Sequence, residues 1–385
     1  MAALSLTPTL LSHSECQLSS ASSLAKNESS RQPTLGTVPY PITYKMLGLG
    51  INVQVPNLAS NTLLGSRGSA PPYVSHIATH MSWKATVQPW KGEEKLRRSC
   101  VADLQSIEQG FPGIDCAATI NAMAAYLVYG CELDDILETM DMDTAELSVK
   151  HCVSILAGNP ISQGDSFGQA FDRLEEITIL YSQHIINLLG PEVAAVILRD
   201  VQVIIIDQLP EIRYNRSNDK LKSFSSYLKL REGVIGMFPL FTVLEHYCHA
   251  NDASGDALED LALLKTQIVH LTVVQNDLGG LEKDFHTPTR SNMVYVLAEL
   301  KGKSIKGKSD LASSLDTLRE AETQHNALVF GAIDTWSRIQ RNPYTEAQKR
   351  FANMVLTLAF THLEWVLATQ RYNVDKSVEK IGAFC

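Results

Sequence analysis

The sequence lacks most features of a secreted, membrane-spanning or nucleic-acid-binding protein. Its seven cysteines are odd in number, widely spaced and without a CxxC pair, so reduced thiols in a cytoplasmic protein are expected rather than a disulfide framework or a zinc site. Uncharged apolar runs stay short of the roughly 20 residues that cross a bilayer; even "VAAVILRDVQVIII" is cut by Arg199 and Asp200. The opening residues "MAALSLTPTLLSHSEC" show no charged segment followed by a continuous apolar one, so no secretory signal is expected. Positive charge is not in excess: the net charge is −9, which excludes broad electrostatic binding to nucleic acid or an anionic membrane. An anionic ligand would have to be held locally, by a few basic side chains or by metal. Alternating apolar and polar strands are nearly absent as well.

What is present reads as helix. The 385 residues are 45% hydrophobic and 19% charged, a composition that supports a large core. Residues 1–75 are rich in Ser, Thr, Pro and Gly and read as a mostly irregular tail and lead-in. Residues 76–385 read as a single all-α domain, because apolar residues there recur at three- and four-residue spacing. Helices are predicted over Ala117–Met140, Phe167–Leu189, Glu192–Gln208, Leu221–His249, Ala257–Asp284, Met293–Leu300, Leu311–Arg341 and Thr345–Tyr372. Two of these, containing "ATINAMAAYLVYG" and "VLTLAFTHLEWVLA", are apolar around most of their circumference. Such helices are central in a bundle, where an apolar cavity can form between them.

Polar clusters interrupt this apolar pattern. Asp134, Asp135 and Glu138 form a DDxxE group at the end of the first central helix, with Asp134 and Glu138 one turn apart. Like charges so placed repel unless a cation lies among them, and Mg2+, which takes oxygen ligands, suits them. In "VVQNDLGGLEKDFH", Asn276, Gly280 and Asp284 fall four residues apart on one helical face about 12 Å long, with Lys283 beside them. Arg231 precedes Gly233, Gly236 and Pro239, which break the helix. Arg371 and Tyr372 pair a guanidinium with a phenol, both good donors to phosphate oxygens.

In combination these residues resemble the class I terpene synthases, particularly the microbial type, from about Leu96 to Tyr372. The aspartate-rich motif matches Asp134, Asp135 and Glu138. The NDxxSxxxE motif matches Asn276, Asp277, Gly280 and Asp284, with the family's adjoining lysine at Lys283. The diphosphate-sensing arginine falls on Arg231, 45 residues before Asn276, and the terminal Arg-Tyr pair on Arg371 and Tyr372. Glu138, Gly280 and Asp284 depart from the usual Asp, Ser or Thr, and Glu.

The resemblance implies a helical bundle around an apolar cavity. It also implies three Mg2+ ions, held by Asp134, Asp135, Glu138, Asn276, Gly280 and Asp284, and a diphosphate bound by Arg231, Lys283, Arg371 and Tyr372. Backbone in the break at Val234–Gly236 would help trigger ionisation. Trp365, Tyr126 and Phe238 are the aromatic candidates for stabilising a carbocation. Cyclisation of farnesyl diphosphate to a sesquiterpene hydrocarbon or alcohol is expected, from a monomer or homodimer. The alternatives are geranylgeranyl diphosphate as substrate, a prenyltransferase of the same fold, and a non-catalytic helical binding protein.

Other motifs carry less. "GDSFG" fits the GxSxG pattern of serine hydrolases but follows a loop, without the buried strand that pattern needs; Ser166 is expected as a helix N-cap. "EHYCH" lacks a second cluster to complete a metal site, and "DMDT" falls short of DxDD.

Overall fold

The computed structural model describes residues 35–44, 48–58, 74–159, 168–250, 257–286, 289–303, 310 and 315–368. All belong to the compact unit that begins at Leu35. Among the described residues the architecture is a helical bundle with one small β-hairpin. The elements in chain order are β1 (Thr37–Tyr44), β2 (Leu49–Pro56), α1 (Val74–Val87), α2 (Glu93–Gly110), α3 (Ala117–Thr139), α4 (Met142–Leu156), α5 (Gln169–Leu189) and α6 (Pro191–Arg216). They continue with α7 (Phe224–Val234), α8 (Phe238–Cys248), α9 (Ala257–Asp284), α10 (Met293–Leu300), α11 (Leu315–Arg341) and α12 (Glu346–Ala368).

Helix α3 is central because its apolar residues leave it no polar face: Ile120 and Ala122 through Ala125 are all fully buried. Its neighbour α5 is amphipathic, burying Phe171, Leu174, Ile177, Thr178, Tyr181 and Ile185 at the spacing of one helical face. Helix α12 is long and apolar enough by composition to cross a membrane. Here that apolar surface packs inside the bundle, largely against α9. The two helices approach so closely that a Cβ on Gly279 would lie 2.2 Å from Val366 Cγ1.

Several expectations need correction. Residues 35–58, read as irregular lead-in, contain the antiparallel pair β1–β2, in which Ile42 faces Ile51 and Tyr40 faces Val53. Ile42, Tyr44, Ile51, Val53 and Val55 share one buried face, packed with Val273, Val274 and Leu278 of α9 and Leu318 of α11. A lone hairpin is marginal in water, so this burial, at about 1.5–3 kcal/mol per large side chain, holds it. Gln54 N–H also donates to Asn326 Oδ1 of α11 at 2.7 Å. Pro39 and Pro41 disguised β1, yet a two-stranded sheet leaves an outer edge where proline is tolerated.

Helix α6 runs past its expected end at Gln208 because Pro210 lies on the exposed face, where water can serve the carbonyl it leaves unbonded. Helices α1, α2 and α4 had no expected counterpart. The "DMDT" residues begin α4: Asp141 is its N-cap and accepts from Thr144 N at 3.0 Å. Helix α5 has Gly168 as its N-cap residue, whereas Ser166 lies outside the described residues. Cys100, Cys116, Cys152 and Cys248 are free thiols.

Candidate active site

Between α2, α3, α6, α9, α12 and the α7–α8 break lies a cavity of about 550 Å³, within the usual range for small-molecule sites of about 300–1,000 Å³. Ile107, Phe111, Tyr126, Tyr129, Val201, Ile204, Met237, Leu240 and Leu358 line its apolar part. Polar residues gather where the ends of α3, α6 and α9 meet: Asp134, Glu138, Glu211, Arg216, Asn276, Asp277, Lys283 and Asp284. Among the described lining residues are five carboxylates and three cationic side chains.

The two expected ligand groups converge on this cavity, with one exception. Asp134 and Glu138, one turn apart on α3, both line it, and so do Asn276, Gly280 and Asp284 of α9. Asp135 does not line it; one residue further round α3, it is exposed to solvent. The adjacent glycines of "NDLGG" separate in the same way, with Gly280 on the cavity wall and Gly279 against Val366. Burial pushes the Asp284 carboxyl above the ordinary aspartate value, while a hydrogen bond from Asn292 Nδ2 at 2.8 Å opposes that shift.

Arg231 sits at the centre of a buried ionic network. Its Nη1 donates to Glu211 Oε1, and its Nη2 donates to Asp277 Oδ1 at 3.1 Å. Its Nε is buried without a hydrogen-bond partner among the described residues. Asp277 also accepts from the Tyr227 hydroxyl and from Met293 N at 2.7 Å. Burial raises its pKa to about 6 against the pull of Arg231, so it is ionised at neutral pH. Asp277, beside Asn276, is thus an anchor that joins α9 to α7 and α10. Ser291 donates to Glu211 Oε1 at 2.5 Å, and Asn215 Oδ1 accepts from the backbone N–H of Arg290 and Ser291.

The helix break lies where the glycines and proline place it. Helix α7 ends at Val234, Gly236 has φ +72, and α8 begins at Phe238 with Pro239 in its first turn. A Cβ at Gly236 would lie 2.6 Å from the Tyr126 hydroxyl, so backbone angle and space both demand glycine. Tyr126 and Trp365 line the cavity, and the Trp365 indole N–H donates to Ser106 Oγ at 2.8 Å. Phe238 does not; it is partly buried and packs against the main core, and Met237 and Leu240 line the cavity instead. Arg371 and Tyr372 lie outside the described residues.

Sequence reasoning missed Glu211, Asn215, Ser291, Asn292 and His362, all of which line the cavity. Glu211 stands just past Pro210, where the helix was expected to have ended. Asn292 follows an asparagine-cap pattern, with its Oδ1 accepting from Val294 N at 2.9 Å at the start of α10. Elsewhere, His80, Cys100 and Asp103 come within metal-ligand spacing of one another. There Lys84 Nζ contacts Asp103 Oδ2 at 2.5 Å and His80 Nε2 contacts it at 2.8 Å, a buried ion pair that already supplies the cation.

Residues 125–314 match the family profile for terpene synthase family 2, C-terminal metal binding. That span holds the DDxxE and NDxx residues and Arg231, all on the helices that enclose the cavity. The chain is a class I terpene synthase. Solved structures of the same fold are similar over most of the chain. One is a variant of SVS_A2, a protein from ancestral sequence reconstruction, with 15% identity over 77% of this chain and 85% of that one and a TM-score of 0.60. Another is linalool/nerolidol synthase from Streptomyces clavuligerus in complex with 2-fluorogeranyl diphosphate, 15% identical over 77% of this chain and 99% of that one, with a TM-score of 0.53. No curated protein matches the terpene synthase in sequence. Its family implies use of a divalent metal. The residues present fit such ions, since Asp134, Glu138, Asn276 and Asp284 offer only oxygen donors at one mouth, and that mouth is net acidic.

Proposed function

We propose that this terpene synthase ionises farnesyl diphosphate with Mg2+ and cyclises the resulting cation to a sesquiterpene hydrocarbon or alcohol, releasing diphosphate. The observation that carries this reading is the charge of the mouth. Five carboxylates outnumber three cationic side chains around the entrance of an apolar cavity, and a diphosphate would be repelled unless divalent cations came with it. Mg2+ bound by these oxygens, three ions in the family pattern, would neutralise the diphosphate and make it a leaving group.

The protein's own groups do the rest. Asp134, Glu138, Asn276 and Asp284 would hold the metals, with Asp135 brought in only if the end of α3 turns. Gly280 offers no side-chain oxygen, so water would take that ligand position. Arg231 is preset by Glu211 and Asp277, and its unpartnered Nε is a donor that a phosphate oxygen would satisfy. Lys283 adds a second cation from the wall, and Arg371 and Tyr372 would supply donors from beyond the end of α12. Apolar side chains fold the isoprenyl chain and exclude water that would quench the cation early. Tyr126 and Trp365 present aromatic rings to the cavity, where their faces stabilise passing positive charge.

Geranylgeranyl diphosphate is the second reading, favoured by the small residues Gly130 and Cys131 in the lining below the metal end. The direct test of the metal assignment is Asp134→Ala and Asn276→Ala. Each is expected to abolish Mg2+-dependent diphosphate release with helix content unchanged. Near-normal release by either purified variant would refute the role given to that residue.

A further inference from the structure

One titratable side chain in the apolar part of the cavity has no place in metal or diphosphate binding. His362, on α12 between Leu358 and Trp365, lines the wall and meets α9 at Gln275, the residue before Asn276. Gln275 precedes Asn276 by one residue but points about 100° away from it around α9, and its level lies about 13 Å along the helix from Asp284.

The surrounding hydrogen bonds fix which ring nitrogen carries the proton. Gln275 Nε2 donates to the Ala359 carbonyl at 2.8 Å, so the other end of that amide, Oε1, is an acceptor. Oε1 lies 2.9 Å from His362 Nδ1, and Nδ1 must therefore be an N–H donor. In the neutral ring the lone pair is then on Nε2. Gln275 Nε2 also lies 3.3 Å from His325 Nε2, and His325 Nδ1 lies 3.3 Å from Asn326 Oδ1. With Gln275 donating to His325 Nε2 and His325 Nδ1 donating to Asn326, the chain is consistent in donors and acceptors from end to end. Burial holds the His362 pKa down to about 3, which keeps the ring neutral and its lone pair available at neutral pH. Among the described residues Nε2 has no hydrogen-bond partner, and the ring borders the cavity.

We propose that His362 Nε2 is the base that ends the reaction, taking a proton from the carbon next to the final cationic centre. The C–H bond breaks, its electron pair becomes the second bond of the new alkene, and the proton forms an N–H bond at Nε2. The imidazolium returns that proton to the leaving diphosphate or to water as the product departs. Carboxylates are poor candidates for this step, because those lining the cavity are at the metal end or paired with Arg231. Gln275 is the positioning residue: by accepting from Nδ1–H it turns the lone pair toward the substrate, as partners of a catalytic histidine do. This inference rests on the cyclase reading.

The test compares wild type with His362→Phe, His362→Asn and Gln275→Met in the presence of Mg2+ and farnesyl or geranylgeranyl diphosphate. Diphosphate release and the terpene profile are measured together, and helix content by circular dichroism shows which His362 variant to read. The expected result is diphosphate release within threefold of wild type, with the share of the main alkene falling at least tenfold in favour of alcohols or earlier-exit alkenes. Gln275→Met, whose change lies behind the ring, should shift the profile in the same direction, which a merely steric role for His362 would not produce. An unchanged alkene ratio in the folded His362 variant overturns the proposal, as does a wild-type product pool consisting of alcohols alone. Failure of wild type to release diphosphate from either substrate would instead overturn the cyclase reading itself.

Discussion

Replacing Gly279 by alanine tests the assignment of the two adjacent glycines to different jobs. An ideal Cβ at Gly279 would stand 2.2 Å from Val366 Cγ1 and 3.5 Å from Val366 Cβ, whereas carbon atoms pack best near 3.5–4.0 Å. Val366 is fully buried, so it can yield only by adopting a poor rotamer or by pushing α12 away from α9. Overpacking of this kind costs about 1–3 kcal/mol. The helix-propensity gain of alanine over glycine, about 1 kcal/mol, offsets part of that. The net expectation for Gly279→Ala is a loss of up to about 2 kcal/mol in urea unfolding. Val366→Ala alone should lose about 2 kcal/mol through its cavity. The double variant should be more stable than the sum of the two, with a coupling of at least about 1 kcal/mol, because the shortened side chain makes room for the new methyl. Additive losses would refute the close approach of α9 and α12 as the reason for glycine. Gly280→Ser, on the cavity wall, should keep activity, and its Mg2+ dependence is measured in the same series.

Other expectations follow from particular contacts. Gly236→Ala should destabilise by about 1 kcal/mol or more, from its positive φ and from the clash with the Tyr126 hydroxyl. Tyr126→Phe in the same chain should recover the part due to the clash, and no recovery would count against that contact. For Asp277, the folded pKa of about 6 exceeds the ordinary aspartate value of 3.8. The folded state therefore binds the extra proton between those values, and this group's contribution to stability falls by about 2 kcal/mol as pH rises from 4 to 6. Metal-free melts of wild type against Asp277→Asn across that range should show the difference, and parallel curves would refute it.

The parts of the fold that were legible share one property: their sequence pattern is satisfied locally. The bounds expected for α9 and α10 are those observed, and the break before Phe238 follows from Gly236 and Pro239. Helix α1 was hidden because it buries polar groups, His80 and Lys84, whose partner Asp103 lies on α2. The β-hairpin was hidden by its prolines, although the alternation of Ile51, Val53 and Val55 was there to be read. At the site, spacing located Asp134, Glu138, Asn276 and Asp284 but could not separate Asp135, one residue round the helix, from its neighbours. Glu211 and His362 were invisible because their roles depend on Arg231 and Gln275, 20 and 87 residues away.

The most direct test is incubation of the purified protein with Mg2+ and, separately, geranyl, farnesyl and geranylgeranyl diphosphate, with the extracts analysed by gas chromatography and mass spectrometry. A cyclic sesquiterpene from farnesyl diphosphate, lost when Mg2+ is removed by chelation, is the predicted result. Folded protein that leaves all three substrates intact, or that elongates them, would contradict it.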